Sequence, residues 1–177
     1  GITGAFTSYL LALQGVSNRV IARNETHLAS HQNAGGINPL QGPGIPGLMS
    51  EFSLHSYHLH EQHWQEIQRL SGIDFKPQVR PKVMLAFDEA EKQTLLKRRM
   101  LYEQTEGFSA QWLSHEALLE QEPRISPQAL GGLYTQGNVT LDSKRFLTAV
   151  LNSAQALGSE QIQADVIALE TQADSVT

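Results

Sequence analysis

Apolar positions recur through the first fifteen residues, GITGAFTSYLLALQG, at a spacing that predicts a helix from Ile2 to Gln14. Ile2, Ala5, Phe6, Tyr9, Leu10, Ala12 and Leu13 leave only a narrow polar strip, so this helix is expected to be buried on several sides. Gly15 suits its left-handed C-cap. Arg19 to Ala22 (RVIA) reads as a short buried strand, in the order of a helix returning to a parallel sheet. The run Asn33 to Gly47, NAGGINPLQGPGIPG, holds five glycines and three prolines and is expected to be an irregular loop.

Beyond the loop, Leu54, Tyr57, Trp64 and Ile67 repeat at helical spacing and predict a long amphipathic helix from Ser50 to Leu70, stopped by Gly72. KVMLAF, Lys82 to Phe87, is a predicted strand, and Asp88 with Glu91 marks the start of a helix reaching about Thr105. FSAQWL reads as another strand, with Ser114 capping a short helix that stops before Pro123. LGGLYTQGNVTLD gives two short extended segments around Gly137-Asn138. Asp142 caps a helix from Ser143 to Leu157 with Phe146, Ala149, Val150, Ala154 and Leu157 on one face, and Gly158 ends it. QIQADVIALE alternates and then runs apolar, as a strand does. Helix and strand bracket a mixed block, as in an α/β nucleotide-binding domain interrupted by a second unit.

Composition narrows the function. With 177 residues and 40% hydrophobic content the chain is globular in character. A net charge of −5, with scattered basic residues, gives no footprint for nucleic acid or anionic membrane. There is no cysteine, which removes disulfides, thiolate metal sites and cysteine nucleophiles. No apolar run approaches the roughly 20 residues of a membrane span, and with no basic n-region before it the first helix is not expected to act as a signal peptide. The expected location is cytoplasmic. Residues 1 to 50 carry only Arg19, Arg23 and Glu25 as charges, whereas charge and histidine are dense from there to about Glu122, which marks a change of environment.

Gly1-Ile2-Thr3-Gly4 has two readings. It is the end of a G-x-G-x-x-G loop, whose glycines let backbone and a helix N-terminus approach a pyrophosphate, or an ordinary small-residue helix start. The fingerprint also wants an acid about 20 residues on to accept from a ribose, and that place holds Arg23-Asn24-Glu25, with Glu25 in reach only if the strand runs longer. His55, His58, His60 and His63 contain no i,i+4 pair and read as a solvated polar face, so no metal is expected. Trp64 and Trp112 read as core anchors and Ser114-His115-Glu116 as a helix start, since adjacent residues cannot assemble a triad.

Three segments together resemble the FAD-dependent amine and amino-acid oxidoreductases of the D-amino-acid oxidase, glycine oxidase and sarcosine oxidase type. GITGAFTSYLLALQGVSNRVIARN is similar to that family's dinucleotide loop, helix and second strand; LASHQNAGGINP to its flavin-wrapping segment; and LGGLYTQGNVTLDSKRFLTAVLNSAQALG with IQADVIALE to its return from the substrate domain. The likeness extends over nearly the whole chain and matches the family's N-terminal half.

The resemblance implies an α/β, Rossmann-like FAD-binding domain with its first strand missing, together with the start of an inserted α+β substrate domain. The implied boundaries are 1–49 and 142–177 for the FAD-binding parts and 50–141 for the insert. It implies FAD as cofactor, with Gly1, Ile2 and Gly4 facing the pyrophosphate and Arg23 and Asn24 near the adenosine ribose. Ser30, Asn33, Ala34, Gly35, Gly36 and Ile37 would line the pyrophosphate and flavin, and main-chain groups at Val166 would hold the adenine. The implied reaction is hydride transfer to flavin N5 from the carbon bearing the amine of a small amine or amino acid, giving an imine that water hydrolyses. The family's substrate-carboxylate groups come largely from the later half of the chain, so the 177 residues alone are expected to have little or no activity. Action on an aminomethyl group of a modified tRNA base and a non-catalytic nucleotide-binding module are the alternatives; a homo-oligomer is left open.

Overall fold

Helix α1 (Ile2–Leu13) forms where the apolar period places it and ends in a Schellman motif. Gly15 takes φ +74°, its N–H donates to the Ala12 carbonyl, and the Val16 N–H donates to that of Leu11, both at 2.9 Å. The computed structural model describes residues 1–23, 29–172 and 175–176; Asn24 and Glu25 lie outside them. The chain divides into two units, Gly1–Ala34 with His63–Phe75 and Asp142–Thr177, and Gly35–Gln62 with Lys76–Leu141.

The first unit is built on a repeated device. Helix α6 (Ser143–Ala156) ends like α1, with Gly158 at φ +98° and the Ser159 N–H on the Ala154 carbonyl at 3.0 Å. Each helix then turns into a strand, β1 (Arg19–Ala22) and β8 (Glu160–Gln163), and the two strands pair in parallel with Arg19 opposite Glu160 and Ala22 opposite Gln163. Ser8, Asn18 and Ser159 lock the returns together: both serine hydroxyls lie within 2.8 Å of the Asn18 side-chain oxygen and 2.7 Å of each other, and both serines are buried. Short hydroxyl side chains here let the two helices pack closely while satisfying each polar group.

Only one face of α1 is buried: Ala5, Ser8, Tyr9 and Ala12, at i, i+3, i+4 and i+7, while Leu11 and Leu13 are exposed. The expectation of burial on several sides is corrected, since neighbours among the described residues cover that one stripe. β1 is likewise not a buried strand; Val20 is half-buried and Ile21 exposed, because its described sheet has two strands rather than the many of a fully covered parallel sheet. The strand expected at 161–170 is four residues long, since its partner β1 ends at Ala22, and Val166 lies beyond it in exposed, non-strand backbone. The unit's core joins Tyr9, Ile67, Phe75, Phe146 and Val150, with Phe75 and Phe146 edge to face at 4.9 Å. The Ser153 hydroxyl donates to the Ile67 carbonyl at 3.1 Å.

Helix α3 (Ser50–Ser71) runs from the second unit into the first and ends at Gly72, φ +68°. In the second unit β4 (Lys82–Ala86), β6 (Gly131–Gln136) and β5 (Ser109–Ser114) form an antiparallel sheet in the order β4-β6-β5. Helix α4 (Glu89–Glu103) covers it, its N-terminus capped by the Asp88 carboxylate, which accepts from the Glu91 N–H at 2.8 Å. Ala86, Leu95 and Leu133 form the centre, with Met84 and Trp112 packed against it. Helix α5 (His115–Gln121) starts on Ser114, whose hydroxyl accepts from the Ala117 N–H at 3.3 Å. A second small sheet sets β7 (Val139–Thr140) between β2 (Gly36–Ile37) and β3 (Gln78–Val79). The glycine-rich loop is therefore irregular except at β2, where two residues pair with β7.

Candidate functional site

The N-terminus of α1 is the most chemically directed feature of the first unit. Gly1 is its N-cap and carries no side-chain cap, no acidic residue stands in the first turn, and Gly1, Thr3 and Gly4 are all exposed. The first N–H groups of a helix have no intrahelical acceptor and sit at the positive end of its dipole. Ile2 donates to the Ser30 hydroxyl at 3.0 Å, which leaves the N–H groups of Thr3 and Gly4 as the helix's outward donors. Ser30 lies in α2 (Ala29–Gln32), 28 residues along the chain from Ile2, so the fold rather than sequence proximity makes this contact.

The two glycines stand in different surroundings. A Cβ on Gly1 would stand 2.9 Å from the Ser30 hydroxyl, whereas a Cβ on Gly4 would meet no atom within 4 Å. Gly4 instead borders an open groove of about 480 Å³, shared with Gly1, Val20, Arg23, His31 and Leu147. Further along the strand ends, Arg23, Asp165, Val166 and Ile167 border a hollow of about 430 Å³, and the Arg23 guanidinium pairs with the Asp165 carboxylate at 2.9 Å. The structure thus brings Gly1, Ile2, Gly4, Ser30 and Arg23 to one side of the unit, with Val166 beyond Arg23.

Asn33 and Ala34 are exposed at the end of the same unit. The Asn33 carbonyl accepts from the Ser143 hydroxyl at 3.0 Å, so the first residue of α6 holds this loop. Within the second unit Gly35 is buried at φ +71°, and a Cβ there would stand 1.8 Å from the Leu141 carbonyl oxygen. No other residue fits that position. Gly36 and Ile37 pair with Thr140 and Val139 and border a hollow of about 380 Å³. His31, Ser143 and Asp165 lie in the three resembling segments but were not singled out there; Ser143 and Asp165 meet Asn33 and Arg23 across more than a hundred residues of chain.

The histidines divide by environment. His58 is exposed beside Glu61 at 3.3 Å, but His63 departs from the expected solvated face: it packs against the rings of Phe6 and Tyr9, with centroids 6.0 and 5.5 Å away. Burial there holds its imidazole below the ordinary range. Among the described residues no group of three or more histidine, aspartate or glutamate side chains could hold a metal, and no helix is long and apolar enough to cross a membrane.

An unobstructed helix N-terminus, a hydroxyl fixing its first N–H and a glycine-bordered groove leading to the ends of two parallel strands define an α/β dinucleotide-binding unit. Over residues 1–177 the chain matches the family of FAD dependent oxidoreductases, and it belongs to that family. It is 27% identical over 169 residues to the glycine oxidase of Bacillus subtilis, across 90% of this chain and 42% of that enzyme. In fold it matches the glycine oxidase of Geobacillus kaustophilus with a TM-score of 0.84 at 22% identity, over 99% of this chain and 47% of that one. It also matches the dithionite-reduced L-α-glycerophosphate oxidase of Mycoplasma pneumoniae with FAD bound, TM-score 0.76 at 24% identity, over 98% of this chain and 45% of that one. The chain therefore spans somewhat under half the length of these relatives.

Proposed function

We propose that the intact protein oxidises a small amine or amino acid with FAD, in the manner of glycine oxidase. The observation that carries the reading is the α1 N-terminus, where Ser30 fixes the Ile2 N–H and Gly4 borders the groove without protein contacts on its open side. Outward N–H donors and a positive dipole fit a pyrophosphate. The likeness to the Bacillus subtilis glycine oxidase, over 90% of this chain, supports an amine substrate.

In this reading Gly1, Ile2 and Gly4 receive the pyrophosphate, Arg23 and Asn24 stand toward the ribose, and the main chain at Val166 holds the adenine. Ser30, Asn33, Ala34, Gly35, Gly36 and Ile37 contact the pyrophosphate and flavin. Residues 1–49 and 142–177 serve the cofactor and 50–141 begin the substrate domain. When bound, FAD supplies at N5 the acceptor for a hydride from the amine-bearing carbon, and water hydrolyses the released imine. The chain's own part is to bind and orient the cofactor through backbone donors that need no reorganisation.

Visible absorbance of the intact protein tests this. Flavin bands that bleach anaerobically with glycine, sarcosine or a D-amino acid support it. Bands that bleach only with glycerol 3-phosphate overturn the amine assignment, and colourless protein that takes up no FAD overturns the flavoprotein reading. Gly4→Val separates binding from folding. Its side chain enters the groove and weakens FAD binding, whereas helix propensity alone leaves the apoprotein within about 1 kcal/mol of the parent. Unchanged FAD affinity in that variant removes Gly4 from the site.

A further inference from the structure

Dinucleotide-binding folds place an acid at the end of the second strand, where its carboxylate accepts from the adenosine ribose. At the end of β1 this chain has Arg23, of opposite charge. Its guanidinium forms an ion pair with Asp165, Nε standing 2.9 Å from Oδ1. Asp165 comes from the neighbouring strand's exit: the Ala164 N–H donates to the Ala22 carbonyl at 3.1 Å, carrying the β1–β8 pairing far enough to set Asp165 against Arg23. The two side chains are 62% and 60% exposed, and an ion pair in that much water contributes little to folding stability. The pair therefore asks for another explanation.

Its surroundings supply one. Arg23 borders both the groove that holds Gly1 and Gly4 and the hollow formed by Ala164, Asp165, Val166 and Ile167. A carboxylate has about four acceptor sites across its two oxygens, so an ion pair through Oδ1 does not exhaust its capacity to accept. Asp165 itself borders that hollow, next to the groove where a pyrophosphate would lie.

We infer that Asp165 supplies the ribose-binding carboxylate of this protein, from the strand beside the one that ordinarily carries it, and that Arg23 positions it. Resting on the FAD reading above, the assignment makes the adenosine ribose hydroxyls donate to Asp165. Arg23 keeps a positive charge between carboxylate and phosphates, which offsets the repulsion an acid would otherwise impose on them.

The test uses intact protein stripped of flavin and titrated with FAD and with an FAD analogue whose adenosine ribose lacks the 2′-hydroxyl, followed by quenching of flavin fluorescence. The parent binds FAD on the order of tenfold more tightly than the analogue, the loss expected for a hydrogen bond to a charged acceptor. Asp165→Ala brings the ratio close to one, Asp165→Glu keeps part of it, and Arg23→Met reduces it. A ratio that survives intact in Asp165→Ala overturns the assignment and moves the role elsewhere, Glu25 being the next acid in sequence. A parent that binds both ligands equally also overturns it while leaving the flavoprotein reading standing. A parent that binds neither takes down both.

Discussion

Burial and the nearby charge of Glu61 push the Tyr57 phenol up to about 12 from the ordinary 10.0. The hydroxyl donates to the Gly137 carbonyl at 3.1 Å, and the ring packs 5.4 Å from that of Phe108. A raised phenol stays protonated in the native state after the unfolded chain has begun to ionise, so its contribution is complete below about pH 10 and is lost as pH rises through about 12. Urea unfolding across that window is expected to show a shallower decline for Tyr57→Phe than for the parent; equal slopes would detach Tyr57 from the alkaline loss. At this scale residue types were more legible in the sequence than the reasons for them. The glycines of the loop were legible as loop formers, but the demand for glycine at Gly35 comes from Leu141, more than a hundred residues away. His63 is silent for a similar reason, since helix α3 carries it to the rings of Phe6 and Tyr9.

Helices were legible because local chemistry marks their ends. Asp88, Ser114 and Asp142 each accept a hydrogen bond from the N–H three residues on, and Gly15, Gly72 and Gly158 adopt the positive φ that stops a helix. Strand limits were less so, because a strand ends where its partner does: the alternation at 161–170 continues past Ala22, and β2 exists only because Val139 and Thr140 pair with it. The Asp142 cap also starts the helix whose first residue holds the Asn33 carbonyl. Asp142→Ala should therefore cost about 1 kcal/mol, or roughly 2–4 °C in melting temperature for a chain of this size. Calorimetry with Asp142→Asn as control checks it. Because asparagine also caps well, an equal loss in both variants would mean that charge and not capping matters.

The division into units follows contacts that no single stretch announces. It cuts α3 between Gln62 and His63, where the apolar period runs on unbroken from Tyr57 to Ile67. The candidate site has the same character. Gly1 and Gly4 were legible through a family resemblance, whereas Ser30 on Ile2, Ser143 on Asn33 and Asp165 on Arg23 needed the folded chain. If these residues receive the dinucleotide, FAD at about a hundred times its dissociation constant stabilises the native state by about 2.7 kcal/mol. Part of that gain should be local, because bound phosphates close the open end of α1. Amide exchange with and without FAD is expected to slow most at residues 2–4, 20–23, 29–31 and 164–167, around the groove and hollow. The β4-β6-β5 sheet, built around Leu95 and Leu133, serves as the internal reference. Slowing confined to that sheet would place the cofactor in the second unit and dismiss the α1 N-terminus as its anchor.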